Sequence, residues 1–164
     1  QSEKISHKEI RMYYRNFLTE GEAKRINLAV AAAEKNTAGE IKVLVVQNST
    51  YFPGENDSDK VWSRVDEEFF ELGLDHTKDH TGILIMISLD ERQVVVAAGR
   101  AINEFYAQET WQGIVDMIIS GIKTGDPAKG ICDAVMTAGE ILADHFPVKP
   151  DDINEIPDEI VFKE

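Results

Sequence analysis

Apolar residues recur along the chain with two different periods. From Thr19 onward, Ile26, Ala29, Val30 and Ala33 fall on one stripe at helical spacing. Thr19 and Glu22 stand in the relation of a capping box, in which each side chain satisfies the other's free backbone N–H. Asn36-Thr37-Ala38-Gly39 stops the predicted helix. The period then changes. Ile41, Val43, Leu44, Val45 and Val46 form a nearly continuous, mostly β-branched run. It predicts a strand over 40–47 that is buried on both faces, as interior strands of α/β sheets are. A polar loop with Pro53-Gly54 follows, and Ser58 or Asp59 is the expected cap of a second helix. Val61, Trp62, Val65, Phe69 and Leu72 make its apolar face, and Gly73 its stop. The run Ile83-Leu84-Ile85-Met86-Ile87 predicts a central strand. Asp90-Glu91 turns the chain, and 93–98 returns as the second arm of a hairpin. A helix between the first two strands makes them a parallel pair with a right-handed crossover. A short helical turn is expected over 101–106 and a fuller helix over 108–122, carrying Trp111, Ile114, Val115, Ile118 and Ile119. Asp126 and Pro127 open a last helix that buries Ile131, Val135, Ala138, Ile141 and Leu142 and runs to about His145.

The two ends read differently from this α/β body over 19–147. Met12, Tyr13, Tyr14, Phe17 and Leu18 suit a short helix or arm over 1–18 whose aromatics dock on the body, with a solvated leader as the alternative. Residues 148–164 are acidic: Asp151, Asp152, Glu155, Asp158, Glu159 and Glu164 outweigh Lys149 and Lys163. Ile153, Ile156, Ile160 and Phe162 punctuate them, which a purely solvated tail would not need. An extended tail lying along the domain is expected. Docking on a protein partner through Asp151, Asp152, Ile153, Ile156 and Ile160 is the alternative.

The 30 acids against 17 bases give a net charge of −13, which opposes nucleic-acid phosphates and anionic lipid surfaces. The single cysteine, Cys132, excludes an internal disulfide and any cysteine-based zinc site, and suits an inert core thiol. No apolar run is long enough to span a bilayer. The sequence opens on Gln1, which leaves room for an upstream signal or anchor, so cytoplasmic and extracytoplasmic placements both stay open.

Catalytic signatures are absent: no nucleophile elbow, P-loop, dinucleotide fingerprint, H-E-x-x-H or EF-hand loop occurs. His76 and His80 are four apart but fall in a loop, where that spacing has no geometric meaning. The topology is more informative. The start of the first strand lies beside the start of the second, and the hairpin brings the end of the third to the same rim. Glu40, Asp79, Asn103 and Glu104 are therefore candidate oxygen ligands for a hard cation such as calcium or magnesium. A plain ion pair of Glu40 with Arg100 or Lys42 is the simpler reading. The opposite rim carries Ser49, Thr50, Asp90 and Glu91, where ligands of open α/β sheets usually sit. Asp90 is the weak catalytic candidate, although an Asp-Glu hairpin turn needs no further explanation.

Several of these segments carry a family pattern. Thr37-Ala38-Gly39-Glu40-Ile41 is followed by Gly82-Ile83-Leu84-Ile85, Asp90-Glu91-Arg92, Gly99 with Ile102-Asn103, and Trp111. His145-Phe146-Pro147 and the run from Asp151 to Glu159 close the series. In order and spacing over 17–162 the chain resembles the TPM domain, named from a thylakoid lumen protein, a photosystem repair factor and an acetylcholine-receptor auxiliary protein. It is most similar to the short bacterial branch. The resemblance implies a three-layer α/β/α sandwich around a small mixed sheet with a C-terminal helical part. It also implies calcium- or magnesium-type metal binding in some members, acid-phosphatase activity in others, and work on membrane-associated complexes. This chain departs from the branch at two places: His80-Thr81 replaces an Arg-Asn pair, and Arg100 replaces an aspartate. Opposite unit charges 4 Å apart attract by roughly 4 kcal/mol at an effective dielectric of 20, and like charges repel equally. An arginine at that rim therefore opposes a metal, and Arg100 is expected to pair with Glu40 in its place. The resulting expectation is a non-enzymatic interaction or accessory domain. A metal-dependent acid phosphatase and a simple cation-binding domain are the alternatives.

Overall fold

The structure, a computed structural model, describes residues 12–164. Most of the expected N-terminal arm, 1–11, lies outside the described residues. Thr19 caps helix α1 (Glu20–Glu34) with both halves of the capping box formed. The chain then enters strand β1 (Glu40–Val46), every residue of which is buried. Helix α2 (Asp57–Glu71) is capped by Asn56, which accepts from the Asp59 N–H, and not by Ser58 or Asp59. Asparagine is as good a cap as either, and starting the helix two residues earlier sets Asp57 and Asp59 in its first turn, where the helix dipole favours them.

Strands β2 (Gly82–Ser88) and β3 (Gln93–Ala98) form the expected hairpin. Arg92 closes its turn with a positive φ of 56°. A one-turn helix α3 (Arg100–Asn103) and a 3-10 turn (Gln108–Trp111) lead into α4 (Gln112–Lys123) and α5 (Pro127–Ala143). The chain ends in strand β4 (Val161–Lys163). The periodicity did not announce β4. It lies parallel to β1, with Leu44 opposite Val161 and Val46 opposite Lys163. The mixed sheet therefore runs β3-β2-β1-β4.

Alternation along the strands explains the continuous apolar runs. Ile41, Val43, Val45, Ile83, Ile85 and Ile87 face a core shared with α1, α4 and α5. Leu44, Val46, Leu84 and Met86 face a second core with Val61 and Val65 of α2. Helices thus cover both faces, and the fold is an α/β/α sandwich. Phe17 and Leu18 are buried in the first core, while Met12 and Tyr13 are exposed. The C-terminal segment contributes to both cores: Ile160 joins the first and Ile156 the second.

The rim formed by the starts of β1 and β2 is tightly built. The Glu40 N–H donates to the Thr81 carbonyl, Gly99 N–H to Gly82, and Ala101 N–H to His80. A Cβ on Gly99 would sit 2.5 Å from the His80 carbonyl oxygen, so only glycine lets the end of β3 approach this loop.

Candidate functional site

Chemistry-bearing residues gather at the two rims of the sheet and along its β3 edge. At the first rim, Glu40 is only 3% exposed. One of its oxygens, Oε1, accepts from the Glu155 N–H of the C-terminal segment at 2.6 Å. The other, Oε2, is buried with no hydrogen-bond donor. Glu40 also meets the carboxyl of Glu34, the last residue of α1. Glu34 in turn accepts from the Ile41 N–H at 2.7 Å and meets Asp158 of the C-terminal segment. β4 begins only opposite Leu44, so Ile41 has no strand on that side, and Glu34 supplies the acceptor a strand would have provided.

Burial pushes Glu34 up to about 9 from 4.5, with Glu40 and Asp158 adding to the rise and the Ile41 N–H opposing it. Burial also raises Glu40, against the opposing Glu155 N–H bond. Lys42 is likewise 3% exposed. Its ammonium donates to the carbonyls of Pro157 and Glu159, and burial lowers its pKa despite the attraction of Glu159, Asp158 and Glu34. The structure thus brings together Glu34, Glu40, Lys42 and Asp158, of which only Glu40 stood out as a site residue in the sequence.

The expected cation ligands do not meet. Glu40 turns to the C-terminal segment, Asp79 lies 3.7 Å from the Lys149 ammonium, and the Asn103 amide donates to the Ala98 carbonyl. Glu104 is exposed just past α3. Among the described residues no three His, Cys, Asp or Glu side chains are grouped to hold a metal ion. Nor does Arg100 take Glu40: Arg100 is exposed on the first turn of α3, and the C-terminal backbone has replaced it as the partner of that carboxylate. A backbone N–H needs no desolvated charge of its own, which makes it the cheaper partner at a buried site.

The opposite rim is well supplied with donors. Glu91 accepts from the Ser49 N–H at 2.9 Å and the Ser88 hydroxyl at 2.6 Å, and the two serine hydroxyls lie 2.9 Å apart. Asp90 accepts from the side-chain amides of Gln47 and Asn48. Both serines are fully buried, so neither presents a nucleophile, and Asp90 and Glu40 lie on opposite rims. Tyr106 sits 2.9 Å from His145 Nδ1, yet its hydroxyl donates to the Ile141 carbonyl at 2.6 Å.

The residues expected to dock on a partner divide. Ile156 and Ile160 are buried in the protein's own cores, whereas Ile153 is 77% exposed. Asp151 lies 3.6 Å from the Lys78 ammonium, and Asp152 accepts from the Lys149 N–H.

The β3 edge carries a feature the sequence pattern did not single out. In the antiparallel ladder Gly99 bonds Gly82, so Leu84/Ala97 and Met86/Val95 are bonded pairs, and Val94, Val96 and Ala98 turn their peptide groups outward. Side-chain amides hook two of the outward carbonyls: Gln108 donates to Val96 and Asn103 to Ala98. A cleft of about 320 Å³ runs beside this edge, with Trp62 of α2 on one side and Gln108, Gln112 and Val115 on the other.

The TPM domain model matches residues 12–141. Among solved structures, the BA42 protein of the psychrophilic bacterium Bizionia argentinensis is 34% identical, with a TM-score of 0.75. The match covers 89% of this chain and 95% of that one. The N-terminal domain of a protein from P. gingivalis is 18% identical, with a TM-score of 0.58 over 79% of this chain and 78% of that one, and shares the fold. No functionally curated protein matches the chain at a significant level. No described helix is long and apolar enough to cross a membrane. With most of its length matched and its three layers in place, the chain belongs to the TPM domain family.

Proposed function

We propose that the chain is a non-enzymatic accessory domain that receives an extended segment of a protein partner on the β3 edge. The contrast between the two edges of the sheet carries this reading. β4 is three residues long and includes Lys163, which pairs with Glu68 at 2.6 Å, so that edge is short and charged. β3 is six residues of Gln, Val and Ala, with no charge and no proline, and a cleft lies alongside it. Edges of that composition are the ones on which extended peptides add as a further strand. The buried serines and the donor-saturated Asp90 and Glu91 favour a binding role over hydrolysis. A membrane-associated complex is the setting that the family resemblance suggests for the partner.

Site-specific photocrosslinking in cells tests this. A photoreactive residue at Gln112, which lines the cleft, should give a discrete adduct, whereas one at Tyr51, exposed and away from the cleft, should not. Gln108→Ala frees the Val96 carbonyl and should strengthen the adduct. Equal labelling from both positions, or none from Gln112, would sink the reading.

A further inference from the structure

Two carboxyl groups in contact, one of them with a buried oxygen that no N–H or O–H reaches, are compatible only if a hydrogen lies between them or a cation stands nearby. Glu34 and Glu40 are such a pair. The cationic group at this rim, the Lys42 ammonium, donates to the Pro157 and Glu159 carbonyls and attracts Glu34 without outweighing its burial. The carboxylates that face the pair, Asp158 and Glu155, come from the C-terminal segment, and Glu159 beside them acts on Lys42. The nearby loop contributes the Lys78 N–H, which goes to the Glu155 carboxylate.

From this geometry we propose that the segment over 155–163 is latched onto β1 by a proton that Glu34 shares with Glu40 and Asp158, so that it seats more tightly as the pH falls. The segment itself makes the site. Its Glu155 N–H closes Glu40 Oε1, its Asp158 covers Glu34, and its Ile156 and Ile160 bury the surroundings. With the segment away, Glu34 and Glu40 meet water and give up their protons in the ordinary carboxyl range. With it seated, Glu34 keeps its proton up to about pH 9. Closing the latch therefore takes up a proton between those limits, and closure weakens by up to tenfold for each pH unit between about 5 and 9, then levels off.

Amide exchange of the full chain reads this directly. The Glu155 and Ile160 N–H groups, bonded to Glu40 and Asn27, report the latch, and a β2 amide such as Ile85 reports global opening. In the wild type, protection of Glu155 and Ile160, corrected for the intrinsic exchange rate, should fall across that range by up to tenfold per unit, and that of Ile85, whose exposure also releases the Glu34 proton, should fall in parallel from a higher level. Infrared spectra at about pH 7.5, where ordinary carboxyls are ionised, should show the C=O stretch of a protonated acid. Glu34→Gln keeps a donor and an acceptor in place but cannot ionise. It should remove the acid band and make protection of the two amides independent of pH. Absence of the acid band in the wild type, or the same pH slope in Glu34→Gln, would overturn the proposal. If that variant does not fold, the wild type decides alone: the acid band and the protection must decline together.

Discussion

The two rims of the sheet surround the same kind of side chain with different partners. At the β2–β3 turn, Glu91 and Asp90 receive a backbone N–H, a hydroxyl and two amides. At the start of β1, Glu34 and Glu40 receive one backbone N–H each and otherwise face other carboxyls. Burial is what raises Glu34 and Glu40, and few donors oppose it there, whereas Asp90 is exposed and Glu91 half-buried among several donors. The rim at the β2–β3 turn braces the hairpin through these bonds. The rim at the start of β1 is short of donors and satisfies itself with a proton.

Ways to break this contrast follow in order of size. Removing residues 153–164 takes away Ile156 and Ile160, each worth roughly 1.5–3 kcal/mol when buried. Urea unfolding should show a loss of roughly 4 kcal/mol, and Glu34 and Glu40 should then titrate as ordinary carboxyls by NMR. Glu91→Ala leaves the buried Ser49 N–H and Ser88 hydroxyl without their acceptor, and about 2–3 kcal/mol should be lost at neutral pH.

Glu34→Gln should act in the opposite sense. The folded chain holds the Glu34 proton up to about 9 and the unfolded chain releases it near 4.5. The native state thus binds more protons between those values, and this group's contribution is full below the lower one and lost as pH rises towards the upper. Glu34→Gln should therefore stabilise the protein by about 2 kcal/mol near pH 8, after allowance for partial exposure, and by little near pH 4.5. Equal gains at both values would contradict the assignment. The smallest change is expected at Asp90→Asn, where an exposed acceptor keeps one oxygen: under about 1 kcal/mol by thermal melting.

What the sequence made legible was whatever short-range pattern controls. The Thr19–Glu22 box, the two-sided burial of β1 and β2, and the hairpin at Asp90-Glu91 follow from spacing over a few residues. The topology even brought Glu40, Thr81 and Gly99 to one rim. The contents of that rim were not legible, because they depend on partners more than a hundred residues away. Val161-Phe162-Lys163 is too short and too flanked by acids to read as a strand without the open edge of Leu44 to Val46. Glu34 looks like any solvated acid at a helix end. One signal was present: Lys42 is the lone charge in an otherwise apolar run from Ile41 to Val46. A lysine with no freedom to reach water needs acceptors from elsewhere, and these are the Pro157 and Glu159 carbonyls.

The distance between Lys42 and those carbonyls has a consequence for how the protein is made. The two ends of the contact are 115 residues apart. At 5–20 residues per second, a ribosome takes roughly 6–23 s to supply the second after the first. Throughout that interval β1 is a β-branched strand with at least one edge unpaired, the kind of segment that joins its counterpart on a neighbouring nascent chain. A solvated ammonium in its middle opposes that encounter. The same side chain that later ties down the C-terminal segment thus guards the strand while that segment is still being synthesised.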